Sequence, residues 1–432
     1  MDPFENALTF LESIKNDLTD ADQPYLERLK TPKNIVSGEL EVTMDDGRVE
    51  KLQAYRSQHN NALGPYKGGI RFHEGVTEAE VKALSLWMSI KTSIAGLPMG
   101  GGKGGVIVDP KKLSGGELER ISRAYMQLIA KHIGVDVDVP APDVNTDPQM
   151  MAWMLDEYEK IVGHQEPGVI TGKPIELRGS AGRTKATGYG GFLALQHLKD
   201  SLKDMYPDNA EGWYNGPREK VRIAIQGFGN VGYYFAISAY EHGYTVVAVS
   251  DSKGAVYDER GLDPVAVMAV KEEKGSVTDF PGKVLTNEEL LALDVEVLVP
   301  SALESVITVD NMVSVKAPVI LELANGPITP EADEHLLGRD VIVVPDVYAN
   351  SGGVTVSYLE WVQNRMGYYW KEQEVDDKLE ELMGTAFKAI WGKYVALREK
   401  DGPQKVTLRR AVYILAVERI IQAERLRSNL RG

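Results

Sequence analysis

Val221-Arg222-Ile223-Ala224-Ile225-Gln226-Gly227-Phe228-Gly229-Asn230-Val231-Gly232 runs an apolar stretch of strand length directly into a G-x-G-x-x-G pattern. A helix-like run, Tyr233 to His242, comes next, and a second apolar segment ends at Asp251, 24 residues past Gly227. Glycines here permit a tight turn and let a pyrophosphate approach a helix N-terminus, and an acid at about this distance suits a ribose hydroxyl. The glycine pattern alone is weak. With a strand before it, a helix after it and the acid in place, it predicts dinucleotide binding at the turn of Gly227, Gly229, Val231 and Gly232, with Asp251 on the ribose. A glycine-rich strand–helix turn without a ligand is the plainer reading. Asp251 favours a free 2′-hydroxyl, whereas Ser252 and Lys253 could offset repulsion of a 2′-phosphate, so NAD, NADP and dual use all stay open at this point.

The texture around this motif extends the prediction. Thr245–Val249, Val295–Val299, Val319–Leu323 and Val341–Val344 are further short apolar runs separated by helix-like stretches. That alternation indicates a parallel sheet covered on both faces, an α/β doubly wound Rossmann-type domain. Downstream, Leu379, Leu382, Met383, Phe387, Ile390 and Trp391, then Ala411, Val412, Leu415 and Ile421, mark amphipathic helices. Residues 201–220 are polar and read as a surface insertion.

The N-terminal half differs. About Phe4–Leu29 reads as helix, Asn34–Thr43 and Val49–Gln58 as strands around the Asp45-Asp46-Gly47 turn, and 77–95 as a helix opened by a Thr77/Glu80 capping box. A helix over 117–133 and an alternating strand Val135–Val139, ended by Pro140-Ala141-Pro142, follow. Pro98-Met99-Gly100-Gly101-Gly102-Lys103-Gly104-Gly105 reads as a glycine loop that leaves one amine unshielded. A P-loop would need Ser or Thr after the lysine, and Gly104 stands there. Lys67 has a similar glycine setting in Gly64–Phe72, and Lys91 lies on the helix that leads into the loop.

Composition bounds the function. The 432 residues allow two or three domains; 43% are hydrophobic and 26% charged, ordinary for a globular protein. A net charge of -15 disfavours nucleic acid and anionic lipid as partners. There is no cysteine, which excludes disulfides and thiolate metal sites and fits a reducing compartment. No apolar run is long enough to span a membrane, and the acidic start lacks signal-peptide features, so a cytoplasmic location is expected.

Taken together, the motifs resemble those of the glutamate dehydrogenases of the Glu/Leu/Phe/Val amino-acid dehydrogenase superfamily, in their hexameric short-subunit form. The resemblance covers nearly the whole chain. It rests on GPYKGGIRF at 64–72, PMGGGKGG at 98–105, DVDVPAPD at 136–143, ATGYG at 186–190, GFGNVG at 227–232, ANGP at 324–327 and NSGGVTVSYLEWVQN at 350–364. It implies that Lys103 and Asp143 are catalytic, that Lys91 binds the substrate α-carboxylate, and that Lys67 and Ser357 hold the side-chain carboxylate. It also implies that Thr187, Asn230, Asn325 and Asn350 line the cofactor site. Some members carry Gln where this chain has Met88, which would leave the α-carboxylate to Lys91 and backbone groups.

The implied activity is reversible oxidative deamination of L-glutamate to 2-oxoglutarate and ammonia with NAD or NADP. The physics agrees, since two lysines answer two carboxylates and a third, partly buried, should be depressed in pKa and able to act as base. In that scheme Lys103 activates water and Asp143 shuttles protons at nitrogen. A dehydrogenase of an apolar amino acid is the alternative within the superfamily, disfavoured because its pocket would bury Lys67 uncompensated. A non-catalytic nucleotide-binding paralogue is the alternative of another class, and it would be expected to lack Lys103 or Asp143. The expected organisation is a mixed-sheet substrate and oligomerisation domain over 1–182, joined by C-terminal helices over about 395–432, and a Rossmann domain over 183–394. A homohexamer with no resident metal is implied.

Overall fold

The computed structural model describes residues 3–210 and 212–427. They form two compact units. One holds the chain up to Arg183 together with Val354–Asp376 and the residues from Tyr413 on; the other holds Thr184–Gly353 and Asp377–Val412. The chain thus passes between the units more often than two blocks and a tail would require, and the stretch carrying Ser357 belongs to the first unit. Residues 428–432, at the end of the expected C-terminal helices, and Glu211, in the polar insertion, lie outside the described residues.

The first unit is built on a mixed five-stranded sheet of β1 (Asn34–Thr43), β2 (Val49–Asn60), β3 (Tyr66–Phe72), β4 (Gly101–Val106) and β5 (Asp138–Pro142), in the order β1-β2-β4-β3-β5. β1, β2 and β4 pair antiparallel, and β3 runs parallel to both β4 and β5. Gly47, with φ +84°, turns the chain between β1 and β2 as Asp45-Asp46-Gly47 suggested. Helix Gly115–Ile129 starts at a complete Ser114/Glu117 capping box. It buries Ile121, Tyr125, Met126 and Ile129 in one core with Met150, Met151 and Met154 of helix Pro148–Val162. Each such side chain contributes about 1.5–3 kcal/mol on burial.

Three local expectations change. The first helix stops at Ser13, because Thr19 and Asp22 form their own capping box around a tight turn and a new helix, Gln23–Leu29, begins with a proline in its first turn. Pro140 and Pro142 lie inside β5 instead of ending it; β5 is an edge strand, where a missing N–H costs no ladder bond. The glycine run is no loop. Gly101–Gly105 forms most of β4, the fully buried central strand of the sheet. A Cβ on Gly101 would fall 2.3 Å from the Ser85 carbonyl of helix Glu78–Ile94, and one on Gly104 would fall 2.1 Å from the Tyr125 hydroxyl. The glycines serve close packing on both faces of β4, and Lys103 is the one residue among them that carries a side chain.

The second unit carries a seven-stranded sheet. β6 (Arg222–Gln226), β7 (Thr245–Asp251), β10 (Val297–Pro300), β11 (Val319–Leu321) and β12 (Ile342–Val344) are mutually parallel; β8 (Gly254–Tyr257) and β9 (Lys283–Leu285) extend one edge antiparallel. The order β12-β11-β10-β6-β7-β8-β9 reverses direction between β6 and β10. Such a switch point is where doubly wound sheets bind ligands. The five parallel strands are those read from the apolar runs. β8 and β9 escaped notice because they are only four and three residues long, and β9 is mostly exposed at the sheet edge. Among the described residues, no helix is long and apolar enough to cross a membrane.

Candidate active site

In the first unit, β3 and β4 run side by side and present Lys67 and Lys103. Gly68 is required there, since a Cβ would sit 1.6 Å from the Gly102 carbonyl. Lys103 is 5% exposed, and its Nζ lies 2.8 Å from Asp143 Oδ2. Asp143 directly follows β5, and Gly69 leaves the room it needs, because a Cβ there would meet the Asp143 Cβ at 2.6 Å. The Asp143 carboxylate also accepts a hydrogen bond from Arg71 Nε at 2.9 Å, and Arg71 is itself paired with Glu80. Asp143 is therefore no turn cap: its backbone N–H bonds Thr146, while its carboxylate faces two cations.

Burial drives the Lys103 ammonium below its ordinary pKa, with Asp143 opposing. Burial alone would raise Asp143, but Lys103 and Arg71 outweigh it and hold the carboxyl well below the usual range. The arrangement keeps an anionic carboxylate against an amine that gives up its proton more readily than a free lysine. Arg71 escaped the sequence reading although it stands in the quoted motif. Its signal was strand alternation, which puts Lys67, Gly69 and Arg71 on one face.

Lys67 is 1% exposed. Its Nζ donates to the Val139 carbonyl at 3.1 Å and to Thr171 Oγ1 at 2.8 Å, and Thr171 is 2.6 Å from Ser357 Oγ. The structure thus brings Lys67 and Ser357 to one place through Thr171, which the sequence reading missed. Thr171 is delivered by its backbone bond to the Pro140 carbonyl on the free edge of β5. The carboxylates nearby are already engaged. Glu360 pairs with Lys173 at 2.7 Å and accepts from the Gly172 N–H; Asp138 holds the buried Arg56 and the Gln58 amide. Lys67 consequently has no carboxylate partner among the described residues, and burial pushes its pKa down to about 7. Met88 and Lys91 share a face of helix Glu78–Ile94, three residues apart, with Met88 beside Gly68 and Lys91 in the last turn. At that helix's start Thr77 accepts from the Glu80 N–H, but the Glu80 side chain turns to Arg71 instead of closing the capping box.

In the second unit, Gly227 takes φ +96° at the end of β6. Gly232 allows the following helix, Asn230–Glu241, to rest on the turn, since its Cβ would lie 2.0 Å from the Gly227 carbonyl. Nothing stands within 4 Å of where a Gly229 Cβ would be, which leaves that backbone open to a phosphate at the helix N-terminus. Asn230 donates to the Thr184 carbonyl at 2.9 Å. Thr187 lies in the first turn of helix Ala186–Met205, which approaches Val231 through Gly188. Asp251 ends β7, and its carboxylate is oriented by the Lys253 N–H, the Ser276 hydroxyl and the Val277 N–H, while Ser252 is exposed. Asn350 Nδ2 donates to Asn325 Oδ1 at 2.9 Å. These residues fit a dinucleotide: an open glycine turn, a helix N-terminus, an oriented carboxylate and two amides. Among the described residues, no group of His, Cys, Asp or Glu is arranged to hold a metal.

Comparison with known proteins accords with both halves. The profile of the Glutamate/Leucine/Phenylalanine/Valine dehydrogenase family matches residues 179–428, and that of the Glu/Leu/Phe/Val dehydrogenase dimerisation domain matches residues 32–160. The chain is 48% identical over 423 residues to the NAD-specific glutamate dehydrogenase of Clostridioides difficile, covering 96% of each. It is 47% identical over 423 residues to the NADP-specific glutamate dehydrogenase A1 of Halobacterium salinarum, covering 98% of this chain and 97% of the other. Its structure is similar to that of the hetero-hexameric glutamate dehydrogenase of Thermus thermophilus, with a TM-score of 0.86 and 37% identity over 99% of this chain and 98% of that one. The chain belongs to the Glu/Leu/Phe/Val dehydrogenase family.

Proposed function

We propose that this chain is a glutamate dehydrogenase, which interconverts L-glutamate with 2-oxoglutarate and ammonia using NAD or NADP. The observation that carries this reading is Lys67, a buried lysine with no carboxylate partner among the described residues, hydrogen-bonded through Thr171 to Ser357. A side-chain carboxylate from the substrate would supply the missing charge and make charge-assisted hydrogen bonds. An apolar substrate would leave Lys67 buried and uncompensated, which disfavours the Leu, Val and Phe alternatives. The Lys103–Asp143 pair argues against a non-catalytic paralogue.

In this reading Lys91 and backbone groups hold the α-carboxylate, with Met88 alongside. The dinucleotide, when bound at the Gly227–Gly232 turn with Thr187, Asn325 and Asn350 around it and Asp251 on the ribose, supplies the hydride acceptor. Neutral Lys103 takes a proton from the water that adds to the α-carbon, and Asp143 passes protons to and from the departing nitrogen. Over 2.8 Å the two groups can share one proton, so their titration belongs to the pair. We assign a homohexamer and a cytoplasmic location on the same family basis, the absence of cysteine being in keeping with a reducing compartment. Relatives specific for NAD and for NADP are both similar to this chain, so either dinucleotide is assigned.

The test is oxidation of NADH and of NADPH by the purified chain. It should require ammonium and 2-oxoglutarate together. A branched apolar 2-oxo acid giving an equal or higher kcat/KM would overturn the glutamate assignment.

A further inference from the structure

Arg409 opens helix Leu408–Arg427, lies in the dinucleotide-binding unit and has none of the roles above. Its guanidinium faces three carboxylates. Nη2 is 2.7 Å from Glu322 Oε1, Nε is 3.0 Å from Asp333 Oδ2, and Nη1 is 3.9 Å from Asp346 Oδ1. Glu322 follows β11 and is completely buried. Its second oxygen accepts from the Asp346 backbone N–H at 2.9 Å, and Asp346 Oδ2 accepts from the Gly326 N–H at 2.9 Å. Gly326 holds φ +54°, a turn conformation that glycine adopts readily, and it follows Asn325. Asn350 donates its amide to Asn325 and its backbone N–H to the Asp346 carbonyl. A continuous line of hydrogen bonds therefore runs from a C-terminal helix to both asparagines of the cofactor half-site.

The charge balance makes this line sensitive. One guanidinium serves three carboxylates, and Glu322 cannot turn to water. Burial already pushes the Glu322 pKa up to about 7, Arg409 opposing and Asp346 adding to it. Without Arg409, a buried carboxylate would stand beside two others with that cation gone, and the cluster would be driven to protonate or open.

We propose that Arg409 is a positioning residue for the dinucleotide, setting the Asn325–Gly326 turn and Asn350 through Glu322 and Asp346. This rests on the reading of Asn325 and Asn350 as dinucleotide contacts. The test uses the full chain with Arg409→Met, measuring the dissociation constants for NADH and NADPH by fluorescence, kcat, KM for the 2-oxo acid and the thermal midpoint. For whichever dinucleotide the wild type uses, affinity should fall by about tenfold or more and kcat should fall, while KM for the 2-oxo acid stays within about twofold. Dinucleotide affinity and kcat within about twofold of wild type, with only the thermal midpoint lowered, would reduce Arg409 to a structural clamp and overturn the proposal. If Arg409→Met does not fold, Asp346→Asn, which keeps the shape and removes the charge, is decided by the same criteria. Asn325→Ala separates the contact reading from the positioning role. If it leaves dinucleotide affinity unchanged, the underlying contact reading fails; if it weakens affinity while Arg409→Met and Asp346→Asn do not, the positioning role alone fails.

Discussion

Replacing Lys67 by Leu and Ser357 by Val should turn substrate preference away from glutamate. Lys67 is 1% exposed and bonded to neutral oxygens only, so in the variant an incoming side-chain carboxylate would be desolvated without a counter-charge. That loss is about 3–5 kcal/mol in a dry site, on the order of 10²–10⁴-fold in kcat/KM. The new apolar wall should favour norvaline or methionine, by about 1–3 kcal/mol per methylene. Thr171 would lose both side-chain partners and keep only its long contact to the Pro140 carbonyl, 3.4 Å, so Thr171→Val should be added to recover activity toward apolar substrates. The assay is the ratio of kcat/KM for glutamate to that for norvaline, with the thermal midpoint as a control for folding. A folded double variant that preferred glutamate by the wild-type margin would refute the assignment of Lys67 and Ser357, and with it the physical case for glutamate.

Two further outcomes follow from the same geometry. With its pKa near 7 in the free protein, Lys67 must take up a proton to meet a carboxylate at higher pH, so the glutamate dissociation constant should rise by up to about tenfold per pH unit above 7, whereas that for norvaline should not; parallel pH profiles would contradict this. Gly104→Ala would place a Cβ 2.1 Å from the Tyr125 hydroxyl in the middle of the sheet, and it should cost on the order of 1–3 kcal/mol in denaturant unfolding; an unchanged midpoint would mean that β4 has more room than its neighbours allow.

The sequence carried the fold where a period or a spacing encoded it. Five parallel strands showed as apolar runs because both of their faces are buried, and the Gly227–Gly232 turn showed because strand, glycines and Asp251 fall at fixed offsets. It concealed the nature of Gly101–Gly105, because glycine has no side chain to alternate and a close-packed strand then looks like a loop. The lysines were legible singly; their partners were not. Arg71 and Thr171 are polar residues whose importance comes from what the fold lays beside them, across 72 and 186 residues of sequence in the contacts Arg71–Asp143 and Thr171–Ser357. Arg409 was hidden for the same reason, since nothing in a C-terminal helix announces a buried glutamate 87 residues away.

The central claim is that the Lys103–Asp143 pair performs the proton transfers of a glutamate dehydrogenase. It is tested most directly by comparing turnover and dinucleotide binding in wild type and Lys103→Ala. The account predicts a fall in kcat of roughly 10²–10⁴-fold or more with the dissociation constant for NADH or NADPH nearly unchanged. A variant that kept more than about a tenth of wild-type turnover would contradict it, since a general base contributes at least about 10²-fold.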